Sequence, residues 1–416
     1  MKLTRLFSRW SFLKRICLLC GSILSCQILL SQGAATSYTF IQQNLNHLYF
    51  SRDSSAFLKL YEKMDRLKEG KRERITVVHI GGSHVQGGTW SSVFISDLQN
   101  EFKTEGGGYF AFPYKIARTN GQPYVSSYTN GRWKRCRPVG KEFCLPLGMC
   151  AMSVNTNDSS NYFGVALTQR SVCRKFNAVK VYHNFNKSFE FNISSKDGTV
   201  AERKDVEKSG YTLFKLSGLI DSISFHLVRK DTLQKDFILY GFSLENTALP
   251  GFYLAGLGAN GASTSSFLRC ANLVAQLETL DADLMILSLG VNDTQSKGFE
   301  KDEYIEHYDS LITFAKKANP GIAIILTTTT DNYIKRKTSN KRTVLARDAM
   351  FELMERHDLA VWDLFSIMGG YKSMTRWYRA GLASKDKVHF SGKGYTLLGD
   401  MMFEALHKSY IYNQRK

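Results

Sequence analysis

Four short stretches hold residues whose types and spacing can do chemistry. In ITVVHIGGSHVQGG, residues 75–88, an apolar run of strand type stops at Gly81 and Gly82 and then offers Ser83 and His84. A serine just past a strand, at a turn that glycine permits, is exposed and rigidly held. The glycines remove Cβ atoms that would crowd a substrate, and a helix N-terminus behind the serine favours developing negative charge. In SKDKVHFSGKGY, Asp386 and His389 stand three apart just before the last helix. On a loop, that spacing lets the carboxylate accept from Nδ1 and leaves Nε2 free to take a proton from a serine. In LMILSLGVNDTQS a strand delivers Asn292, whose carboxamide can donate to an oxyanion. In LGANGAST, Gly261 opens a helix, and its N–H can face the same crevice. Each pattern alone also has a plainer reading: a strand–helix turn, a solvated Asp beside a casual His, a Gly-Val-Asn-Asp turn, a helix cap.

These groups meet only if the chain brings four strand ends to one edge, and its periodicity predicts that. Residues 53–68 read as a helix with Phe57, Leu60, Tyr61, Met64 and Leu67 on one face, 75–80 as a buried strand, and 91–102 as a helix again. After Pro250 the alternation returns: helix 263–277, strand 284–289, helix 304–318, strand 322–327, helix 341–356, strand 359–362 and a closing helix 394–410. Strands alternating with helices imply a parallel sheet, whose reactive groups collect at the carboxyl ends of its strands. Between these halves, 178–183, 189–193, 211–216, 222–227 and 237–244 read as strands separated by turn signals, with no long helix among them. The expected organisation is an α/β domain formed by 36–119 and 246–416, split by a β-sandwich insert over 120–245.

In this order and at these positions, the four blocks resemble the SGNH (GDSL-like) hydrolase family. The resemblance implies a flavodoxin-like three-layer α/β/α fold. It makes Ser83, Asp386 and His389 the catalytic residues and gives the oxyanion to the Ser83 and Gly261 N–H groups and the Asn292 side chain. Gly82 departs from the pattern, because the family usually carries Asp before the serine. The insert resembles the carbohydrate-binding-module-like domain of two-domain periplasmic peptidoglycan O-acetylesterases. By that resemblance the chain is an exported serine carbohydrate O-acetylesterase working through an acetyl-enzyme, without metal or organic cofactor. Its partner would be an acetylated glycan, peptidoglycan foremost. Acetyl transfer, deacetylation of a dietary or capsular polysaccharide, and non-catalytic glycan binding stay open. His84 is a rival base and a substrate-lining candidate; Trp377, with Trp90 and Trp133, stacks on sugar rings or anchors the core.

The flanking sequence fits that setting. Residues 1–35 read as a signal peptide: Lys2, Arg5, Arg9, Lys14 and Arg15 without an acid, an apolar run over 16–30, then SQGAATS. The run is short for a spanning helix, so no stable membrane insertion is expected after cleavage near Ala34–Ser37, and the mature protein would be periplasmic or envelope-associated. An uncleaved anchor is the alternative. The formal charge is +18, and +13 without those five leader cations. Such a protein suits an anionic surface; its cations are spread out and form no nucleic-acid-binding motif. Of the mature cysteines, Cys136, Cys144, Cys150 and Cys173 cluster and Cys270 stands apart. One or two disulfides in the cluster, or free buried thiols, both fit.

Overall fold

Strand Arg74–Gly81 lies between Leu284–Ser288 and Gly251–Gly258, parallel to both. Ala323–Thr327 and Ala360–Trp362 continue the parallel array beyond Leu284–Ser288, and Leu48–Phe50 closes that edge antiparallel. Every residue of Ala323–Thr327 and all but the first of Arg74–Gly81 are buried, the near-continuous apolar character that parallel strands under flanking helices require. Those helices include Ser55–Lys68, whose Phe57, Leu60, Tyr61, Met64 and Leu67 fall at helical spacing on its buried face. Thr89–Phe102 packs along Gly392–Gln414. The computed structural model describes residues 38–51, 55–139, 144, 146–194 and 200–415. The expected leader lies outside them, and among the described residues no helix is long and apolar enough to cross a membrane.

Two details differ from the periodic reading. The region 263–277 is two short helices, Thr264–Leu268 and Leu273–Glu278, the first opened by a Ser263–Ser266 capping box. Gly251–Gly258 is a wholly buried central strand that periodicity did not single out, because three of its eight residues are glycine.

The region 120–245 forms two packed sheets. One runs Val125–Thr129, Ser160–Leu167, Ser222–Arg229, Phe189–Ile193. Phe163 crosses to the other sheet, its ring stacked on Phe225 at 5.3 Å and lying 6.1 Å from Phe242. That other sheet is not separate from the α/β core. Phe237–Asn246 pairs with Gly107–Ala111, which pairs in turn with Gly251–Gly258, so one 13-stranded sheet runs through both parts. At the seam Gly107 and Gly108 hold φ of +91° and +134°, and a Cβ on either would lie about 2 Å from the carbonyl oxygens of Phe252 and Leu244. The expected boundaries at 120 and 245 therefore divide the topology, not the core, which is one continuous apolar cluster.

Cys136 and Cys144 form a disulfide with Cα atoms 5.8 Å apart, while Cys150, Cys173 and Cys270 are buried free thiols. Burial pushes the Cys150 thiol up to about 12, which leaves it unreactive.

Two consequences are measurable. Phe163→Ala should lower stability by about 3–5 kcal/mol, and a shared sheet predicts one cooperative denaturant transition carrying that loss. Two separate transitions, with only one shifted, would contradict the shared core. The second concerns Asp97 and Asp400, which face each other between Thr89–Phe102 and Gly392–Gln414. Burial first, then the Asp400 and Glu404 charges and a hydrogen bond with Asp400, push the Asp97 carboxyl up to about 7. Between the ordinary carboxylate pKa and 7, the folded state therefore holds a proton that the unfolded chain has lost. Stability should fall as pH rises through that window. Asp97→Asn should flatten the fall, read as the melting temperature from pH 4 to 8.

Candidate active site

Ser83 is the first residue of a short helix, Ser83–Gln86, that begins as soon as Arg74–Gly81 ends. The turn fits against its neighbours only because glycines stand beneath it. A Cβ on Gly81 would lie 2.3 Å from Val85 Cγ2, and one on Gly258 would lie 2.2 Å from the Gln86 backbone nitrogen. Gln86 then ties the turn to two other segments: its Nε2 donates to the Asn120 carbonyl at 2.7 Å, and its Oε1 accepts from the Asn260 N–H at 2.6 Å.

The Ser83 hydroxyl meets His389 Nε2 at 2.8 Å, and His389 Nδ1 meets Asp386 Oδ2 at 2.8 Å. The other Asp386 oxygen accepts the backbone N–H groups of Val388 and His389, both at 3.0 Å. Burial pulls the Asp386 carboxyl upward, but these donors and the imidazole outweigh it, and its pKa sits below the ordinary carboxylate value. Asp386 is thus ionised at neutral pH and fixes the ring by its Nδ1–H. Nε2 faces the serine as an acceptor, the arrangement for deprotonating a hydroxyl.

Asn292 is the second residue of the helix Val291–Gln295, and its Nδ2 donates to the Ala262 carbonyl at 2.8 Å. A Cβ at Gly82 would stand 3.1 Å from that nitrogen, so the carboxamide packs against the residue that precedes Ser83. Gly261 precedes Ala262 at φ +81°, in the turn between Gly251–Gly258 and Thr264–Leu268. Sequence reasoning missed the residues that lock this corner. Asp293 Oδ1 accepts from the Thr264 N–H and hydroxyl at 3.0 and 2.6 Å. Tyr304 and Tyr308 donate to the Leu289 carbonyl, both at 3.1 Å. The sequence signal for the tyrosines was their i, i+4 spacing, which reads equally as core.

Two substrate-lining assignments need correction. Trp377 is fully buried, donates to the Met368 carbonyl, and stands edge-on to Phe390 at 5.2 Å. Its indole found a backbone acceptor in the core and offers no face to a sugar. His84 is 8% exposed and lies behind His389, ring centroids 5.3 Å apart. Its Nδ1 meets the Tyr395 hydroxyl at 2.9 Å and its Nε2 is buried without a partner. Burial, with the His389 charge adding to it, pushes its pKa down to about 3. It stays neutral and does not oppose a positive charge forming on His389. His79 is likewise interior, held between Ser91 and Ser288 at 2.8 and 2.9 Å.

Comparison with known proteins defines the class. Residues 235–397 match the GDSL-like Lipase/Acylhydrolase family. That stretch takes in Gly261, Asn292, Asp386 and His389, while Ser83 lies before it. The chain therefore carries a GDSL-like acylhydrolase domain, and it is an ester-bond hydrolase. More particularly, a solved structure described as "Peptidoglycan O-acetylesterase in action, 5 min" is similar with a TM-score of 0.69 at 18% identity. It covers 88% of this chain and 99% of its own. At that identity the likeness establishes the fold, the additional β-sheets included. Smaller likenesses are a lipase/acylhydrolase from Enterococcus faecalis (21% identity, 38% of this chain and 77% of that one, TM-score 0.32) and the acetyl xylan esterase AlAXEase (20%, 37% and 81%, 0.31). No curated protein matches the chain in sequence.

The contact between Gly82 and Asn292 is testable. A methyl at position 82 must push the carboxamide away by a few tenths of an ångström. Gly82→Ala should lower kcat on an aryl acetate about tenfold or more, up to the 10²–10³ of losing one oxyanion donor, with KM little changed. An unchanged kcat would show that the Asn292 position does not matter to the reaction.

Proposed function

We propose that this protein is an exported carbohydrate O-acetylesterase that removes acetyl groups from peptidoglycan. The observation carrying the reading is the unbroken hydrogen-bonded line from Ser83 through His389 to Asp386, at 2.8 Å on each side of the imidazole. Ser83 Oγ attacks the acetyl carbonyl as His389 Nε2 takes its proton. The oxyanion is held by the Ser83 and Gly261 N–H groups and the second N–H of Asn292. The C–O bond to the sugar then breaks, and His389 returns the proton to the leaving sugar oxygen. Water enters, loses a proton to His389 and attacks the acetyl-enzyme; acetate departs as Ser83 regains its proton. Asp386 stays ionised throughout and holds the ring in the tautomer that accepts at Nε2.

The substrate assignment rests on three supports. The structural neighbour that covers most of this chain is a peptidoglycan O-acetylesterase, and the leader is of secretory type. A net charge of +13 after leader removal suits an anionic wall.

Ser83→Ala and His389→Ala should each abolish acetate release while leaving the melting temperature nearly unchanged. Asp386→Asn should slow it less completely, since it disturbs orientation and removes no reacting atom. The measurement is acetate freed from O-acetylated peptidoglycan, xylan and pectin. Release from xylan or pectin but not from peptidoglycan would overturn the substrate; full activity in His389→Ala would overturn the mechanism.

A further inference from the structure

The loop that carries Asp386 and His389 is bordered by a small hairpin, Tyr333–Ile334 paired with Thr338–Ser339. The hairpin is bound to both sides of the site. The Tyr333 N–H donates to the Lys387 carbonyl at 3.0 Å, two residues before His389. The Tyr333 carbonyl accepts from Gln295 Nε2 at 3.3 Å, at the end of the helix that carries Asn292. The Tyr333 hydroxyl meets the Thr375 hydroxyl at 2.7 Å.

What this hairpin presents is charge. Lys335, Arg336 and Lys337 occupy its tip and are all exposed. Lys385 and Lys387 flank Asp386, the Lys387 ammonium 4.6 Å from the Tyr333 ring centroid, and Lys393 lies in the first turn of Gly392–Gln414. Among the described residues no carboxylate pairs with any of the six, although Lys230, Lys301 and Arg356 on other surfaces each hold one. The nearby acids are spent: Asp386 on His389 and two backbone N–H groups, Asp331 fully buried and accepting from the Met374 N–H. The tip of the hairpin is a left-handed turn. Lys335 and Arg336 hold φ of +49° and +66°, and the Lys337 N–H closes the turn onto the Ile334 carbonyl. That is a tight turn which Asn and Gly fill more easily.

We propose that these six side chains form a rim that holds the negative charges of the substrate, so that the glycan this site deacetylates is anionic near the ester. The proposal rests on the esterase reading for its substrate, and on the placement of the cations for its charge. Exposed cations act over about a Debye length, roughly 8 Å at physiological salt. They therefore select a polymer with charges on the sugars next to the reacting one, and do nothing for a small neutral ester.

The test replaces Lys335→Asn, Arg336→Asn and Lys337→Ser together, which keeps the turn because Asn tolerates its left-handed positions. On acetylated pectin, the polyanion used as probe, the triple variant should lose about tenfold in kcat/KM through KM. On 4-nitrophenyl acetate it should match the wild type. Raising ionic strength from about 0.05 to about 0.5 M should erase the wild-type advantage and leave the variant flat. A control removes three cations from a cleft at the far end of Thr89–Phe102, about 20 Å along that helix: Lys103→Ser, Arg170→Ser and Arg174→Ser should change neither substrate. Equal loss in the control, or no loss in the hairpin variant, would overturn the rim. If the wild type cleaved no aryl acetate, the esterase reading would fail on its own account. The rim would then be judged by polygalacturonate binding, retained by Ser83→Ala and weakened when the hairpin substitutions are added; equal binding would sink it.

Discussion

One hydrogen bond sets the demand that the rest of this structure meets. Ser83 and His389 are 306 residues apart in the chain and 2.8 Å apart in space. A hydrogen bond weakens steeply with misalignment, so two loops on different strands must be held to a fraction of an ångström. The sheet supplies that precision. Ser83 leaves a strand buried over seven consecutive residues, and the Asn292 turn leaves the parallel strand next to it. The Asp386–His389 loop is fastened from behind: its carboxylate accepts two of the loop's own N–H groups, and the Ser384 N–H donates to the His389 carbonyl at 2.8 Å. Each of these fastenings removes a freedom that the Ser83–His389 pair would otherwise have to lose in forming its hydrogen bond.

Burial under the site works toward the same end. His84 and His79 are kept neutral by it, which leaves His389 the one imidazole of the three placed to gain a proton. Asp293 shows the reverse use. It is an acid in the interior, its pKa raised by burial and partly restored by Thr264, and it joins two strand ends that a hydrophobic contact would join with less directional control.

The candidate catalytic residues were legible in the sequence by two kinds of local signal. Ser83 and Asn292 stand where an apolar strand run ends and a polar residue follows, while Asp386 and His389 show by their spacing of three just before the last helix. What could not be read has a common cause in glycine and in lateral contact. The strand Gly251–Gly258 reads GFYLAGLG, with glycines that strand propensity counts against it, although at Gly258 the close approach of Gln86 demands one. The pairing of Gly107–Ala111 with Phe237–Asn246 spans more than a hundred residues, and strand pairing leaves no local mark. Trp377 misled for a similar reason, since an indole reads alike whether its N–H meets a sugar or the Met368 carbonyl.

The shared sheet changes what the β region can be. A module on a flexible linker adds affinity by raising local concentration and leaves the catalytic domain's shape alone. Here Gly107–Ala111 has the α/β strand Gly251–Gly258 on one side and the β-region strand Phe237–Asn246 on the other. Removing 120–245 would strip that second partner and expose a row of unpaired backbone groups along an edge. The contact also runs through the site's own scaffold. Gln86, three residues after Ser83, holds Asn120, and Gly261 packs against Val139. The β region therefore braces the turn that presents Ser83. A part with that role is welded to the α/β core rather than tethered to it, because a tethered module could not hold the turn in place.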